Sequence, residues 1–142
     1  MVTVDTQLTV RLAQPGEGPL LHTLAQESGK WEITGLDWSF DPYPWWLIAD
    51  VEGVPTGCLQ VCPGIPLGRL EFLCVPTATP HVIKAKVVRA LLLHGLAACR
   101  AHGAQFVTGM LHTGLEGYAR IIERRGGVKW FTGDAYLFRV KT

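Results

Sequence analysis

A single carboxylate interrupts an apolar stretch that is otherwise suited to the interior of a sheet. Glu71 lies in GRLEFLCV, residues 68–75, which predicts a buried strand because apolar residues are nearly continuous there. Apolar surroundings favour the neutral form of a carboxyl group, which suits it to accept a proton near neutral pH. Glu71 is therefore a candidate general base; alternatively, it lies on a solvated face or pairs with Arg69 or Arg89.

The cysteines are the next residues that could do chemistry. All four have apolar neighbours, where free cysteine behaves as a small hydrophobe: Cys58, Cys62, Cys74 and Cys99. The first two lie in TGCLQVC, which predicts a strand. Four strand residues span about 13 Å, beyond the ~7 Å Cα limit of a disulfide, so we expect that pair to stay reduced and apart. No second Cys/His pair has ligand spacing, so we predict no metal site.

Composition limits the function classes. The chain has 142 residues, 48% hydrophobic and 18% charged, which excludes a disordered or coiled-coil protein and predicts one domain over residues 1–142. The net charge of +1 favours neither nucleic acid nor a membrane surface as a partner. Charged residues interrupt every apolar stretch well before the ~20 residues of a membrane span. Because the N-terminus also lacks the pattern of a signal peptide, we expect a cytoplasmic protein.

The elements that position these residues alternate between strands and helices. Strands are predicted at residues 8–12, 46–51, 55–62, 68–75, 105–111, 128–131 and 135–140. Helices are predicted at residues 20–27, from Pro80 to Gly103 with Thr79 as the N-cap, and at residues 115–125 before a Gly126-Gly127 cap. This order predicts an α/β fold with one mixed, twisted sheet of about six to seven strands flanked by helices.

That order resembles the GNAT superfamily of acyl-CoA-dependent N-acyltransferases over nearly the whole chain. The stretches that carry the resemblance are VRLAQPGEGPLLHTLAQESG, WWLIADVEGVPTGCLQV, RLEFLCVP, RALLLHGLAACRAHGAQFVTGML and YARIIERRGGVKWF. The resemblance implies a GNAT-like fold, acetyl-CoA as co-substrate, and a small-molecule or peptide amine as acceptor. It also implies direct transfer, without a covalent enzyme intermediate.

The resemblance further assigns residues to the coenzyme. The end of the fourth strand, Leu73 to Val75 with Cys74 between them, would pair its backbone with the pantetheine amides. The family's pyrophosphate pattern, (Gln or Arg)-x-x-Gly-x-(Gly or Ala), falls on three residues that do not match it: Ile83, Lys86 and Val88. Two interpretations follow. Either the coenzyme does not bind, or its phosphates are held at the helix N-terminus by Thr79, Val82, Ile83 and Lys84.

Proton transfer is the last requirement of this chemistry. Glu71 occupies a place that resembles the family's general base. The family's tyrosine that protonates the departing thiolate falls on Ile122. Tyr118, one turn earlier on the same helix face, is a candidate replacement; a core or interface tyrosine is the alternative. His112 follows the fifth strand, where side chains of this fold point into the substrate cleft; a loop histidine without a task is the alternative.

An aromatic-rich segment over residues 31–46, predicted as a loop or a broken helix, lies where the family builds its acceptor pocket. Its rings are those of Trp38, Phe40, Tyr43, Trp45 and Trp46. With Asp37 and Asp41 nearby they would suit an apolar amine; a structural wedge between helix and sheet, or a homodimer contact, explains the same residues. The competing hypothesis for the whole chain is a non-catalytic binding or assembly module that has lost coenzyme A binding.

Overall fold

The computed structural model describes residues 6–29, 37–109 and 119–129. Within these ranges, five strands form one mixed sheet in the order β1-β2-β3-β4-β5. The strands are β1 (Leu8–Leu12), β2 (Trp46–Val51), β3 (Val54–Cys62), β4 (Leu67–Cys74) and β5 (Phe106–Gly109). The helices are α1 (Gly18–Glu27), α2 (His81–Ala101) and α3 (Ala119–Arg124). The predicted α/β class and the mixed sheet are confirmed.

The described sheet has fewer strands than the six to seven that were predicted. The predicted strand at residues 135–140 lies outside the described ranges. So does part of the one at 128–131, of which Val128 and Lys129 are described and are not in a strand. Strands β1 to β4 pair as antiparallel neighbours, and β5 pairs with β4 in parallel. No helix in the described ranges is both long and apolar enough to cross a membrane.

Helices lie on both faces of the sheet, and Ile121 of α3 also packs on the α2 side. Helix α2 packs on the face that carries Leu59 and Leu70, and α1 packs on the opposite face, over Ile48 and Cys58. This division follows from the period-two alternation of a strand, in which successive side chains point to opposite faces. All four cysteines are free, and Cys58 pairs across the strands with Cys74, not with Cys62. The predicted separation of Cys58 from Cys62 is confirmed.

Helix α2 begins one residue later than predicted. Its N-cap is Pro80, whose carbonyl accepts the Lys84 N–H at 2.8 Å, and no side chain caps the helix. The prediction of Thr79 as N-cap is therefore wrong. The Thr79 N–H is bonded to the Pro76 carbonyl at 3.0 Å, so this residue closes the turn that precedes the helix instead of opening the helix itself.

Two glycine-containing ends are as predicted. In the turn between β2 and β3, Glu52 has a φ of 50° and Gly53 a φ of 77°, the two positive values of the hairpin turn that matches strand twist. At the end of α3, Gly126 has a φ of 88°, and the Gly127 N–H bonds the Ile122 carbonyl at 3.0 Å. The first turn joins β2 to β3 as a hairpin, and the second terminates α3.

Candidate functional site

Three side chains lie in one row across the sheet, on the face that α1 covers in part. Trp46 of β2 pairs with Gln60 of β3, and Gln60 pairs with Glu71 of β4. Leu59, Val61 and Leu70, the sequence neighbours of this row, pack on the α2 side, so Gln60 and Glu71 point to the other face. The row therefore places an amide and a carboxylate beside a buried indole.

A bulge in β4 follows this row directly. The pairing of β3 with β4 shifts by one residue between Cys58 and Gln60, and Phe72 has a φ of 54°, a conformation that side chains rarely adopt. An extra residue in one strand changes the face on which the following side chains lie. As a result, Phe72 follows Glu71 onto the α1 side, where it packs near Trp46, while Leu73 packs against the core under α2.

Glu71 is half-buried and has no ion-pair partner in the described part of the chain. The ion pairs there join Arg11 to Glu17 and to Asp50, so the alternative that Glu71 pairs with Arg69 or Arg89 is wrong. The Glu71 charge affects the pKa of the neighbouring Cys62 thiol. Burial raises the pKa of Cys62, the Arg69 guanidinium opposes that rise, and the Glu71 carboxylate adds to it. The carboxylate therefore lies on a partly covered surface and forms no ion pair with a described cation.

The pairing of β4 with β5 ends next to the same residues. It runs from Leu67 opposite Phe106 to Leu70 opposite Gly109, and no described residue pairs with that edge of β4 beyond Leu70. The three residues assigned to pantetheine come next: Leu73 is half-buried, and Cys74 and Val75 are buried. Because the Cys74 side chain is packed against Cys58 and α1, backbone groups are what this segment can offer a ligand.

The residues assigned to the phosphates lie together where α2 begins. Val82 and Ile83 are in the first turn, whose amides have no acceptor within the helix. The Lys84 side chain turns back along the helix, so that its Nζ lies 3.5 Å from the carbonyl oxygen of Thr77 in the preceding turn. Thr79 belongs to that turn and is half-buried. A helix N-terminus and one ammonium group thus face the same place, which suits an anion.

The segment aligned with the family's pyrophosphate loop is not a loop. Ile83, Lys86 and Val88 all lie inside α2. Val87 and Val88 are completely buried against the sheet, which explains why this stretch is helical and has no glycine. In the family's pattern, a glycine backbone closely approaches the pyrophosphate. Here neither the sequence nor the helical backbone of this segment provides that approach.

The aromatic group divides into a buried part and an exposed part. Trp38 stacks on His22 with ring centres 5.6 Å apart and lies 5.9 Å from Trp46; both tryptophans are buried, as expected of a structural wedge. Phe40 lies 5.9 Å from Trp46 and is 37% exposed. Trp45 is separate from this cluster and meets the edge of His102 at 5.4 Å.

The other predicted catalytic residues, His112 and Tyr118, lie outside the described residues. Gln60 and Phe72 are the residues of this site that sequence reasoning missed. Gln60 belongs to the site because of its strand pairing, and Phe72 because of the bulge in β4. Neither feature can be recognised from a few neighbouring residues of the sequence. No group of three or more His, Cys, Asp or Glu side chains in the described ranges could hold a metal ion.

Comparisons with known proteins bear on this fold. No protein-family model matches the chain, and no curated protein matches it with statistical significance. Among solved structures, it is similar to the diaminobutyrate acetyltransferase from Paenibacillus lautus in complex with L-2,4-diaminobutyric acid and coenzyme A. The TM-score is 0.68 at 15% identity, over 85% of this chain and 75% of that one.

Two further structures match nearly the whole chain. An aminoglycoside N-acetyltransferase in complex with coenzyme A has a TM-score of 0.67 at 14% identity, over 99% of this chain and 100% of that one. A transcriptional regulator from Bacillus halodurans has a TM-score of 0.63 at 14% identity, over 93% and 100%. At such identities the likeness concerns the fold alone, and that fold is the GNAT fold.

Proposed function

We propose that this chain is an acyl-CoA-dependent N-acyltransferase that transfers an acetyl group from acetyl-CoA directly to an amine. The observation that carries the proposal is Glu71, a half-buried carboxylate with no described ion-pair partner, next to the bulge of β4 and the end of the described β4–β5 pairing. Two solved acetyltransferases of the same fold hold coenzyme A, one of them together with its amine substrate, which supports this assignment.

The residues present fit coenzyme A in two places. The β4 edge beyond Leu70 has no described strand partner, so the backbone of residues 73–75 can pair with the pantetheine amides as an added strand would. The first-turn amides of Val82 and Ile83 and the ammonium of Lys84 can hold the pyrophosphate. The phosphates are then bound by side-chain charge and helix dipole instead of a glycine loop.

The proposed chemistry is a direct displacement. Acetyl-CoA supplies a thioester, in which the C–S bond breaks as the amine nitrogen forms the new C–N bond. Glu71 takes the proton that the amine must lose, directly or through one water. The backbone N–H of Val75 polarises the thioester carbonyl, and Tyr118 gives a proton to the departing thiolate. The role in the acceptor cleft that the resemblance implies for His112 is part of the same proposal.

Replacing Glu71 by glutamine tests the proposal. We expect turnover with acetyl-CoA to fall by about 10²- to 10⁴-fold, the range for general base catalysis. Calorimetric affinity for acetyl-CoA should stay nearly unchanged, because the carboxylate acts on the amine. Glu52→Gln is the matched control, since it makes the same change in the β2–β3 turn, far from the site. Unchanged turnover in Glu71→Gln would remove this residue from the mechanism.

One observation favours a second function, a non-catalytic binding module. The segment that should bind pyrophosphate is buried helix, and Ile122 stands where the family has its proton-donating tyrosine. A fold of this kind also occurs in a protein described as a transcriptional regulator. Titration of the chain with acetyl-CoA separates the two functions: micromolar binding supports the enzyme, and no binding at millimolar concentration supports the module.

A further inference from the structure

A continuous aromatic wall leads from the α1 side of the sheet to Glu71. Phe40 lies 5.9 Å from Trp46 between ring centres, and Trp46 lies 5.8 Å from Phe72, with interplanar angles of 30° and 31°. Trp46 is 4% exposed and forms the floor, whereas Phe40 is exposed and Phe72 is half-buried. The two outer rings are therefore the ones that a ligand can touch.

The wall and the carboxylate have a fixed spacing. Trp46, Gln60 and Glu71 are paired across three neighbouring strands, so Trp46 and Glu71 are separated by two strand spacings, roughly 10 Å. Phe72 directly follows Glu71, and the bulge puts both side chains on the same face. A ligand with its apolar body on the wall can therefore place a polar group at Glu71, with the Gln60 amide between them.

The segment that presents Phe40 is negatively charged. An aspartate stands on each side of it: the Asp37 Oδ1 accepts the Ser39 N–H at 2.9 Å, and the Asp41 Oδ1 accepts the Tyr43 N–H at 3.0 Å. Hydrogen bonds from Ser39 lower the pKa of Asp37, so its charge persists at neutral pH. Carboxylates near the exposed ring attract a cation, and the face of an aromatic ring does so too.

We infer that the acceptor is a primary amine carried by an aromatic ring on a short chain, with the ring against Phe40 and Phe72 and the amino group at Glu71. This inference rests on the proposed function for the transfer itself. The wall favours an aromatic body over a saturated one because offset or tilted ring pairs add to the burial of area. That addition corresponds to about a 2- to 12-fold preference in affinity.

Amine binding measured without coenzyme tests the inference. The full chain is titrated by calorimetry with 2-phenylethylamine and with 2-cyclohexylethylamine, which has the same carbon skeleton and charge but no aromatic ring. We expect the aromatic amine to bind about 2- to 12-fold more tightly. Phe40→Leu should abolish that preference and keep the fold, because Phe40 is 37% exposed and leucine still covers Trp46 with an apolar side chain. Tyr43→Leu is the control, since the Tyr43 ring is exposed in the same segment and contacts no described ring.

The outcomes are separable from those of the proposed function. Equal affinities for the two amines, or a preference that survives in Phe40→Leu, would overturn the aromatic assignment. If acetyl-CoA fails to bind while the aromatic preference is found, the acyltransferase proposal falls and the aromatic amine site stands. If acetyl transfer is found with equal kcat/KM for the two amines, the enzyme stands and the aromatic acceptor does not.

Discussion

Replacing Lys84 by alanine should weaken the binding of coenzyme A by about ten- to a hundredfold. Lys84 is the fourth residue of α2, and its ammonium lies 3.5 Å from the Thr77 carbonyl oxygen, so the charge lies beside the turn that precedes the helix. A hydrogen bond to a charged group contributes about 1.5–3 kcal/mol, and each 1.4 kcal/mol is tenfold in affinity. Because the first-turn amides must act without a glycine loop, this cation should carry an unusually large share of the phosphate interaction.

Lys86→Ala is the matched control for this prediction. It is two residues further along α2, about 200° around the helix axis, and it is exposed. Calorimetric titration with coenzyme A at low and at high salt measures both variants. The loss in Lys84→Ala should shrink as salt rises, because a partly exposed charge is screened, and the loss in Lys86→Ala should be small throughout. Equal and negligible losses in both variants, with binding intact, would refute the placement of the phosphates at this helix end.

Two further predictions concern stability and are measured by urea unfolding. Arg11 binds the Glu17 carboxylate at 2.7 and 3.0 Å and lowers its pKa, so Glu17→Gln should cost about 1 kcal/mol at neutral pH. That cost should vanish as the pH falls below 4.5, the ordinary pKa of a glutamate, and then through the lower pKa of Glu17 in the folded state. A cost independent of pH would contradict this prediction. Cys58→Ser should cost about 1–3 kcal/mol because the thiol is fully buried, and Cys62→Ser, half-buried, at most about 0.5 kcal/mol. Comparable losses in the two variants would contradict the difference in burial between these thiols.

Local signals were enough to predict the elements of the sheet and the hairpin turn. The predicted strand at residues 46–51 is β2, and the turn at Glu52-Gly53 joins it to β3, because alternation and turn residues are properties of a few neighbouring positions. The start of α2 was missed by one residue for a different reason. Thr79 is a good cap by type, but its amide already closes a turn from Pro76, which depends on the path of the preceding chain.

The row that builds the site could not be predicted, because two bulges decide it. Counting back from the β2–β3 turn without a bulge pairs Trp46 with Leu59, which faces α2. The irregularity between Ala49 and Asp50 shifts the pairing to Gln60, which faces the other side. A second irregularity brings Phe72 to the Glu71 face. A shift of one residue exchanges the two faces of a strand, so a sequence pattern that gives every strand correctly can still miss which side chains meet.

The buried helix also determines what glycine would do in the phosphate segment. The variant Lys86→Gly/Val88→Gly has glycine at both positions of the family pattern, but we expect no gain in coenzyme A affinity. Val88 is completely buried against the sheet, and losing its burial costs about 1.5–3 kcal/mol, while each glycine inside a helix costs about 1 kcal/mol. The double variant should therefore lose about 3–5 kcal/mol of unfolding free energy, against about 1 kcal/mol for Lys86→Gly alone. The core contacts of Val87 hold this segment helical, so flexible residues beside it do not free the backbone for a ligand. Urea unfolding measures the loss and calorimetry the affinity; tighter binding in the double variant would show that packing does not hold this turn of α2 closed.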